Sequence, residues 1–283
     1  MSAQESFSDS VNGGALVADC ILERLPDALR ERLRQLTVLQ QTDSTNSALA
    51  RLPAEQRHAH VLLAEEQTSG RGRRQRAWHS PGGGNIYLSL GWRFASQSAA
   101  LSTLPLVTAL CLCRALDRTG LQGHGIKWPN DVLVDGAKLA GILVETQAVG
   151  SGPLLAVIGI GLNVRMPCSG SGHTPEIIDR PWTDLASQLP PERRSISRNE
   201  VIALLLQELL PGLERFEAEG FAAYRDEWRQ RDLLAGHRLR FEGNGGFRYG
   251  RAVTVEDDGG LRVDIDGYGL QVLYAADVSI HDE

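Results

Sequence analysis

Lysine occurs only twice in this chain of 283 residues, at Lys127 and Lys138, and every other basic residue among the 29 is an arginine. Both lysines lie in the stretch IKWPNDVLVDGAKLAGILVE, residues 126–145. An ammonium is a compact point charge, whereas a guanidinium is a wider, planar fork. Lys138 enters an apolar strand after an Asp-Gly turn, where an ammonium is costly without an anionic partner. We therefore predict that Lys138 bridges oxygens of a reacting centre; the alternative is a surface lysine at the mouth of a hairpin.

Four arginines fall within six residues of the segment GRGRRQR, which we call the arginine loop (residues 70–76). They are Arg71, Arg73, Arg74 and Arg76. Glycine between them would let backbone N–H groups approach a phosphate that the guanidinium groups clamp. Taken alone, the segment fits a solvated basic loop, a nucleic-acid contact or an anion-binding loop. The chain contains no GxxxxGK[ST] sequence, and its GxG pairs do not continue into a dinucleotide-binding fingerprint.

Three asparagines lie where predicted elements end: Asn46 in DSTN, Asn130 in KWPND and Asn163 in GIGLN. The glycines of SPGGGN, residues 80–85, precede a strand and permit positive φ and close approach of a ligand to the backbone. Each segment also fits a plain turn, because Asn, Asp, Pro and Gly favour turns. The residues alone leave both interpretations open.

The composition is that of an ordinary globular protein, with 42% hydrophobic and 23% charged residues. A net charge of −6 and a pI near 5.7 argue against a protein that works on nucleic acid. The four cysteines form no CxxC pair, and Cys111 and Cys113 lie in an apolar run where a thiol behaves as a small hydrophobe. There is no leader pattern and no apolar run of about 20 residues, so we expect a cytoplasmic protein without membrane contact.

The elements that must position these residues alternate between helix and strand as far as residue 232. Helical periodicity and capping residues predict helices over residues 26–36, 42–52, 98–120, 198–220 and 221–232. Strands are predicted over residues 36–40, 60–67, 86–94 and 154–164, with loops over 68–85 and 165–182. Between Ile126 and Gln147, three strands are predicted, joined by a Pro-Asn-Asp turn and an Asp-Gly hairpin turn.

After residue 233 the pattern changes to short strands with tight turns, which predicts a small β-barrel. The fold class is therefore α+β with antiparallel hairpins, followed by a β-barrel. We predict three parts: a tail and short helix over residues 1–36, a central α+β domain over residues 37–232 and a barrel domain over residues 233–283.

Taken together, four blocks of the chain resemble the biotin protein ligases in order and spacing. The blocks are DSTN (43–46), AEEQTSGRGRRQRAWHSPGGGNIYLSL (64–90), KWPNDVLVDGAKLAGILVE (127–145) and IGIGLNV (158–164). The resemblance extends from about residue 37 to residue 283, and it depends on the combination of blocks rather than on any single one. It implies a catalytic domain like those of class II aminoacyl-tRNA synthetases and biotin-lipoyl ligases, with a mixed, largely antiparallel sheet, followed by an SH3-like barrel.

The resemblance also implies a two-step reaction. The carboxylate of biotin attacks the α-phosphate of ATP, giving biotinyl-5′-AMP and pyrophosphate. A lysine of a biotin carboxyl carrier protein or domain then takes the biotinyl group, and AMP leaves. Both steps build charge on oxygen atoms, so fixed cations and dipoles are the expected catalysts.

Each motif residue acquires a role from this resemblance. Biotin would be bound by Ser44, Thr45, Asn46, Gln67, Arg71, Gly72, Arg73 and Lys138. ATP would be bound by Arg73, Arg74, Arg76, Trp78, Asn130, Asn163 and Trp182, with Mg2+ carried on its phosphates and no protein ligand assigned to the metal. Lys138 and Arg73 would be catalytic, Lys138 between the carboxylate and the α-phosphate.

Two alternative functions are each typical of other sequence features. Lipoate–protein ligases share the catalytic fold but show a His-Asp pair after their glycine block, where this chain has NIYLSL. A nucleic-acid-binding regulator that uses the arginine loop is the alternative from another class. Relatives that repress transcription carry a winged helix-turn-helix before the catalytic domain, and residues 1–42 show no three-helix pattern, so we expect no specific DNA binding. A monomer and a homodimer are both open, as is a contact from His281 to the nucleotide.

Overall fold

The computed structural model describes residues 14–95, 101–148, 153–166, 181–243, 246–274 and 276–281. Four features of the sequence lie outside these residues: the predicted tail before residue 14, the predicted helix start at residues 98–100, the predicted loop at residues 167–180, and Cys168.

Helices and strands alternate along the described chain much as the sequence predicts. The helices are α1 (Ala18–Leu22), α2 (Asp27–Arg30), α3 (Thr45–Ala50), α4 (Ala54–Arg57), α5 (Leu104–Thr119), α6 (Leu185–Gln188), α7 (Arg198–Glu219) and α8 (Arg225–Arg231). The strands are β1 (Gln35–Thr42), β2 (His60–Gln67), β3 (Ile86–Phe94), β4 (His124–Lys127), β5 (Asp131–Val134), β6 (Ala137–Ala148), β7 (Leu154–Leu162), β8 (Arg238–Gly243), β9 (Gly246–Val255), β10 (Leu261–Ile265), β11 (Gly269–Leu273) and β12 (Val278–Ile280).

The central sheet has seven strands in the order β1-β2-β3-β7-β6-β5-β4. Strands β1 and β2 pair in parallel, and every other neighbouring pair is antiparallel. The prediction of a mixed, largely antiparallel sheet is therefore confirmed. A second sheet of five antiparallel strands, in the order β11-β10-β9-β8-β12, corresponds to the predicted barrel.

Both faces of the central sheet are covered, as alternation along β2 shows. Val61 and Leu63 belong to the main core, which includes α5 and α7, whereas Leu62 packs with Leu49 of α3 and Val157 of β7. Alternate residues of a strand point to opposite faces. Helices α5 and α7 thus cover one face and the short helix α3 covers the other. In α5, burial raises the pKa of the Cys111 and Cys113 thiols to about 12. This agrees with the prediction that both thiols behave as small hydrophobes.

A buried ion pair joins the start of α7 to the central sheet. Arg198 is 1% exposed and donates two hydrogen bonds to the carboxylate of Glu65, at 2.8 and 3.1 Å. The same guanidinium donates to the carbonyl oxygens of Asn85 and Gly14, and Glu65 accepts from the backbone N–H of Leu16. A buried guanidinium is stable only when its donors are occupied, and here they tie the chain near residue 14 to the sheet.

The two sheets are joined by contacts between backbone and side chains. The Leu233 N–H donates to the carbonyl oxygen of Ile126 at 3.0 Å, so the segment that connects the two sheets pairs with β4 at the edge of the central sheet. The buried indole of Trp128 donates to the carbonyl oxygen of Gly259 at 2.9 Å. These contacts fix the C-terminal sheet beside the KWPND turn. The division into domains at residue 233 remains a prediction.

Several predicted elements differ from the structure in their limits, and α1, α4 and α6 were not predicted from the sequence. The helix predicted over residues 26–36 is confined to α2, because the backbone from Gln35 pairs with β2 instead. The long helix α5 begins at Leu104, after a 3-10 turn over residues 101–103, and Pro105 lies in its first turn. Residues 221–224 form a 3-10 turn before α8, where the Tyr224 hydroxyl donates to the carbonyl oxygen of Gly212. Within the described residues, no helix has the length and apolarity needed to cross a membrane.

Candidate active site

All the predicted site residues line one cavity of about 200 Å³ on the face of the central sheet that carries α3. They come from segments separated by up to 138 positions along the chain, the difference between 182 and 44. The residues are Ser44, Thr45, Asn46, Gln67, Arg71, Gly72, Arg73, Arg74, Arg76, Trp78, Asn130, Lys138, Asn163 and Trp182. Lys127 lines the same cavity, so both lysines of the chain meet there.

One side of the cavity is formed by a hydrogen-bond network, the polar floor, which consists of Thr45, Asn46 and Gln67, all lining the cavity, and the fully buried Ser89 beside them. The Gln67 amide oxygen accepts from the N–H and hydroxyl of Thr45 at 2.9 and 3.2 Å. The Ser89 hydroxyl lies 2.8 Å from that of Thr45 and 2.6 Å from the Asn46 amide oxygen. Since buried polar groups are costly unless paired, this network holds the start of α3 in one orientation against β2 and β3.

Two glycines of β7 leave room for side chains on the cavity face. A Cβ atom at Gly159 would lie 2.4 Å from the amide oxygen of Asn46, and one at Gly161 would lie 2.6 Å from Cε2 of Trp78. Real Cβ contacts are not this short. Residues two apart on a strand share a face, so the GxG of GIGLN seats the amide and the indole side by side. Its function in this fold is steric.

Lys138 reaches the cavity through an irregularity in the β5–β6 hairpin. Asp131 pairs with Gly141, but Leu133 pairs with Lys138, so the register shifts by one residue between them. An unbroken register would pair Lys138 with Val134 and place its side chain on the face opposite to Asp131. A bulge of this kind re-aims a side chain. Here it brings the ammonium of Lys138 to the carboxylate of Asp131.

The ammonium of Lys138 lies between a carboxylate and an aromatic ring. Its Nζ is 2.7 Å from Oδ1 of Asp131 and 5.1 Å from the centre of the Trp78 ring, close enough for a cation–π interaction. Oδ1 nevertheless has no aligned hydrogen bond from a described residue, so the contact is an ion pair rather than a directed bond. The Trp78 Nε1 donor is also buried, with no hydrogen-bond partner in the described chain.

The arginine loop borders the cavity and is held by polar partners from three different segments of the chain. Arg71 contacts Glu145 of β6 at 2.9 Å, and Arg73 donates to the amide oxygen of Asn130 at 3.3 Å. Arg76 forms an ion pair with Asp277, next to β12 of the C-terminal sheet. Burial lowers the pKa of the Arg73 guanidinium below its usual value, and the charge of Arg74 acts in the same direction. A guanidinium in this position favours an added anion.

The remaining predicted residues brace the cavity wall. The Asn130 side chain donates to the carbonyl oxygen of Ile142 at 2.8 Å. The Asn163 side chain donates to the carbonyl oxygens of Thr183 and Lys138, at 3.0 and 3.4 Å. Trp182 lies beside Lys138 because the backbone of residues 181–183 pairs with it. The amide donors of both asparagines are thus engaged with backbone.

Several residues of the site were not predicted as site residues from the sequence. Ser89 of the polar floor and Glu145, the partner of Asn46 and Arg71, lie at or near the ends of two of the four blocks, but they were assigned no role. The sequence left Asp131 of KWPND open as a turn residue or as a polar group at a strand end facing a ligand, and it was assigned no specific role. The spacing of glycines in GIGLN was a usable signal, because two glycines on one strand face indicate close approach by another group. Among the described residues, no group of three His, Cys, Asp or Glu side chains could hold a metal ion.

The fold and the cavity together define a class of protein: a mixed sheet with a small-molecule site bordered by an arginine loop, and a small β-sheet at its edge. Comparison with known proteins identifies the family. The model of the biotin/lipoate A/B protein ligase family matches residues 38–163. The biotin--[acetyl-CoA-carboxylase] ligase of Mycobacterium tuberculosis is 35% identical over 258 residues, covering 87% of this chain and 88% of that protein. The chain belongs to the biotin/lipoate A/B protein ligase family.

Other relatives agree with this assignment. The biotin--[acetyl-CoA-carboxylase] ligase of Paracoccus denitrificans is 34% identical, covering 85% of this chain and 98% of that protein. The bifunctional ligase/repressor BirA of Escherichia coli is 33% identical, covering 82% of this chain and 70% of that protein. A solved structure of the biotin protein ligase from Aquifex aeolicus in complex with biotin and ATP superimposes with a TM-score of 0.70 at 26% identity, covering 88% of this chain and 100% of that one. The resemblance to biotin protein ligases is confirmed.

Proposed function

We propose that this chain is a biotin–[biotin carboxyl-carrier protein] ligase, which uses ATP to join biotin to a lysine of a carrier domain through biotinyl-5′-AMP. The observation that carries the proposal is the convergence of all four sequence blocks on one cavity, in a chain whose relatives are named as biotin ligases. The polar floor would receive the head of biotin, and the arginine loop with Lys138 would receive its carboxylate and the phosphates of ATP.

The geometry supports the first step of this reaction. A carboxylate oxygen of biotin attacks the α-phosphorus of ATP and pyrophosphate leaves, so negative charge must be stabilised on neighbouring oxygens. Lys138 supplies a point charge inside the cavity, and Arg73 supplies a guanidinium whose pKa is lowered by burial and by the charge of Arg74. Such fixed charges act best where water is excluded, because they need no reorganisation. Mg2+ would arrive on the phosphates of ATP.

The decisive experiment compares two acids in ATP–pyrophosphate exchange. Wild-type protein is incubated with ATP, Mg2+ and labelled pyrophosphate, together with biotin or with lipoate. We expect exchange with biotin and little with lipoate. Exchange with lipoate alone would replace the proposal with a lipoate ligase, which shares the family.

The carrier and the prediction of no specific DNA binding require separate measurements. Transfer of biotin to a purified biotin carboxyl carrier domain, detected by mass, tests the partner. A gel shift at low salt tests nucleic-acid binding, because electrostatic binding is strongest there. A shift that survives physiological salt and depends on sequence would contradict the prediction. Whether the chain is a monomer or a homodimer stays open to a sedimentation measurement.

A further inference from the structure

A second cavity, of about 380 Å³, lies between the β5–β6 hairpin and the C-terminal sheet. It shares seven lining residues with the first cavity, and the ion pair of Asp131 and Lys138 is among them, so both spaces border this pair. The first cavity accounts for biotin and the nucleotide in the proposed function. The second reaches the same reacting centre from another side.

The walls of the second cavity suit a long amphipathic side chain. Apolar groups line its length, and Phe247, which is 59% exposed, lies at its rim. Asp131, whose side chain is only 15% exposed, lies where the cavity meets Lys138. A lysine buries its methylenes along apolar surface and carries a nitrogen at its tip. The apolar wall members are Leu133, Pro181, Phe241, Phe247 and Val278.

The charges around this cavity favour an amine that enters without its proton. Four cationic side chains and three carboxylates line it. Lys138 is paired with Asp131, Arg76 with Asp277, and the Arg240 guanidinium lies over the Phe247 ring at 4.5 Å. A surplus of positive charge lowers the pKa of a neighbouring amine. An amine must be neutral before it can attack an acyl group.

We propose that the second cavity admits the acceptor lysine of the carrier, and that Asp131 is the catalytic residue that accepts the hydrogen bond and then the proton of its amine. This inference rests on the proposed function, since it concerns the second step of the same reaction. The ion pair with Lys138, whose Nζ lies 2.7 Å from Oδ1, holds Asp131 in place.

The step balances as follows in atoms and charge. The neutral amine, having left one proton to solvent, attacks the acyl carbon of biotinyl-5′-AMP and forms the C–N bond. The bond between the acyl carbon and the phosphate oxygen breaks, and AMP leaves with its electron pair. The nitrogen, now positively charged and acidic, gives its second proton to the Asp131 carboxylate, which releases it to solvent. Lys138 stays protonated throughout and stabilises the oxygens.

The first test replaces Asp131 with Asn and compares the reaction of two nucleophiles, the carrier lysine and hydroxylamine. Purified biotinyl-5′-AMP is bound to wild-type and Asp131→Asn protein, and biotinyl transfer is timed to the carrier domain and to hydroxylamine. Hydroxylamine is uncharged at neutral pH. Because it is small, water can reach its nitrogen after the attack and take the proton without help from Asp131. We expect transfer to the carrier to fall about 10²-fold or more, as for loss of a general base, and the hydroxylamine reaction to change far less. Equal losses with both nucleophiles would overturn the role of Asp131.

Asp135→Asn is the matched control. Asp135 lies in the same hairpin, is exposed, lines neither cavity and has φ of 48°, a conformation that Asn also tolerates. It should transfer biotin to the carrier at the wild-type rate. Thermal melts of both variants verify the fold.

The second test narrows the cavity from the C-terminal sheet. Ser279 of β12 lines the second cavity and not the first, so Ser279→Trp adds bulk to the proposed route of the lysine alone. We expect slower transfer to the carrier with unchanged formation of biotinyl-5′-AMP in a single turnover. Parallel loss of adenylate formation would assign the cavity to the polyphosphate of ATP instead. A wild-type protein that forms no biotinyl-5′-AMP would refute the proposed function itself, before either variant is compared.

Discussion

The polar floor and the arginine loop border the same cavity, yet they are held by different forces. The floor is buried: Thr45, Asn46 and Ser89 are at most 4% exposed and bond to one another. The arginines of the loop form ion pairs and a hydrogen bond with Glu145, Asn130 and Asp277, and these contacts are partly exposed to water. A buried network is fixed at folding, whereas exposed ion pairs contribute little and are readily exchanged. The head of a ligand would therefore meet a preformed surface, and its charged end a surface that can change partners.

Lys138→Arg is expected to have the largest effect, because Lys138 supplies a positive charge in the cavity that both regions border. Arginine would keep the charge, but its wider head does not fit between Asp131 and Trp78. Losing a well-placed contact to developing charge costs about 10²–10³ in rate. The measurement is single-turnover formation of biotinyl-5′-AMP, with Lys127→Arg as the matched exchange, which should be milder. A rate within a few-fold of wild type would disprove the assigned role of Lys138.

Gly161→Ala is expected to disturb the boundary between floor and loop. The added methyl would lie 2.6 Å from the Trp78 indole, which must shift, and overpacking of this kind costs about 1–3 kcal/mol of the free energy of unfolding. The KM for ATP should rise as well, if Trp78 borders the nucleotide. Chemical denaturation and ATP titration measure both. Gly82→Ala is the control, because its nearest neighbour would be 3.7 Å away, an ordinary contact. Identical unfolding of the two variants would contradict the steric role of Gly161.

Limited proteolysis should show directly that the arginine loop is more mobile than the polar floor. Arg74 and Arg76 are exposed, and the loop buries little that would order it. We expect trypsin to cut within residues 71–76 in the free protein and biotin with ATP to suppress the cut, since a bound anion would draw the guanidinium groups inward. Cleavage sites are assigned by mass spectrometry. Equal cutting with and without ligands would count against a loop that closes.

The smallest effect is expected for the ion pair between Arg76 and Asp277. Both side chains are partly exposed, at 51% and 29%, and such pairs typically contribute about 0.2–1 kcal/mol. A double-mutant cycle with Arg76→Ala and Asp277→Ala measures the coupling in denaturant unfolding. The coupling should weaken as salt is raised, because salt screens exposed charges. A coupling well above this range would mean that the loop is anchored as firmly as the floor.

Local patterns in the sequence predicted most of the elements, whereas the membership of the site came from the resemblance to biotin protein ligases. Alternation predicted β2 and β3, and Gly120 marked the end of α5. These are properties of short segments, and short segments determine their own periodicity and turns.

What the sequence did not reveal are relations between segments. The Asp-Gly turn predicted a hairpin, but a regular hairpin would have turned Lys138 away from Asp131. The register shift that brings them together depends on how the strand packs, with Leu139 fully buried in the core. Likewise, Arg76 and Asp277 are 201 positions apart. No pattern in either segment indicates that they meet.

The scarcity of lysine has a practical consequence for analytical chemistry. Both side-chain amines of the chain line the cavity, and every other cation is a guanidinium, which amine-selective acylating reagents leave untouched. A terminal α-amine also reacts, so the reagent is followed by mass measurement of the peptides that contain Lys127 and Lys138, which reports on two side-chain positions that border one site. Occupancy of the cavity can be titrated on the unaltered protein by counting added acyl groups, with no dye, tag or substitution.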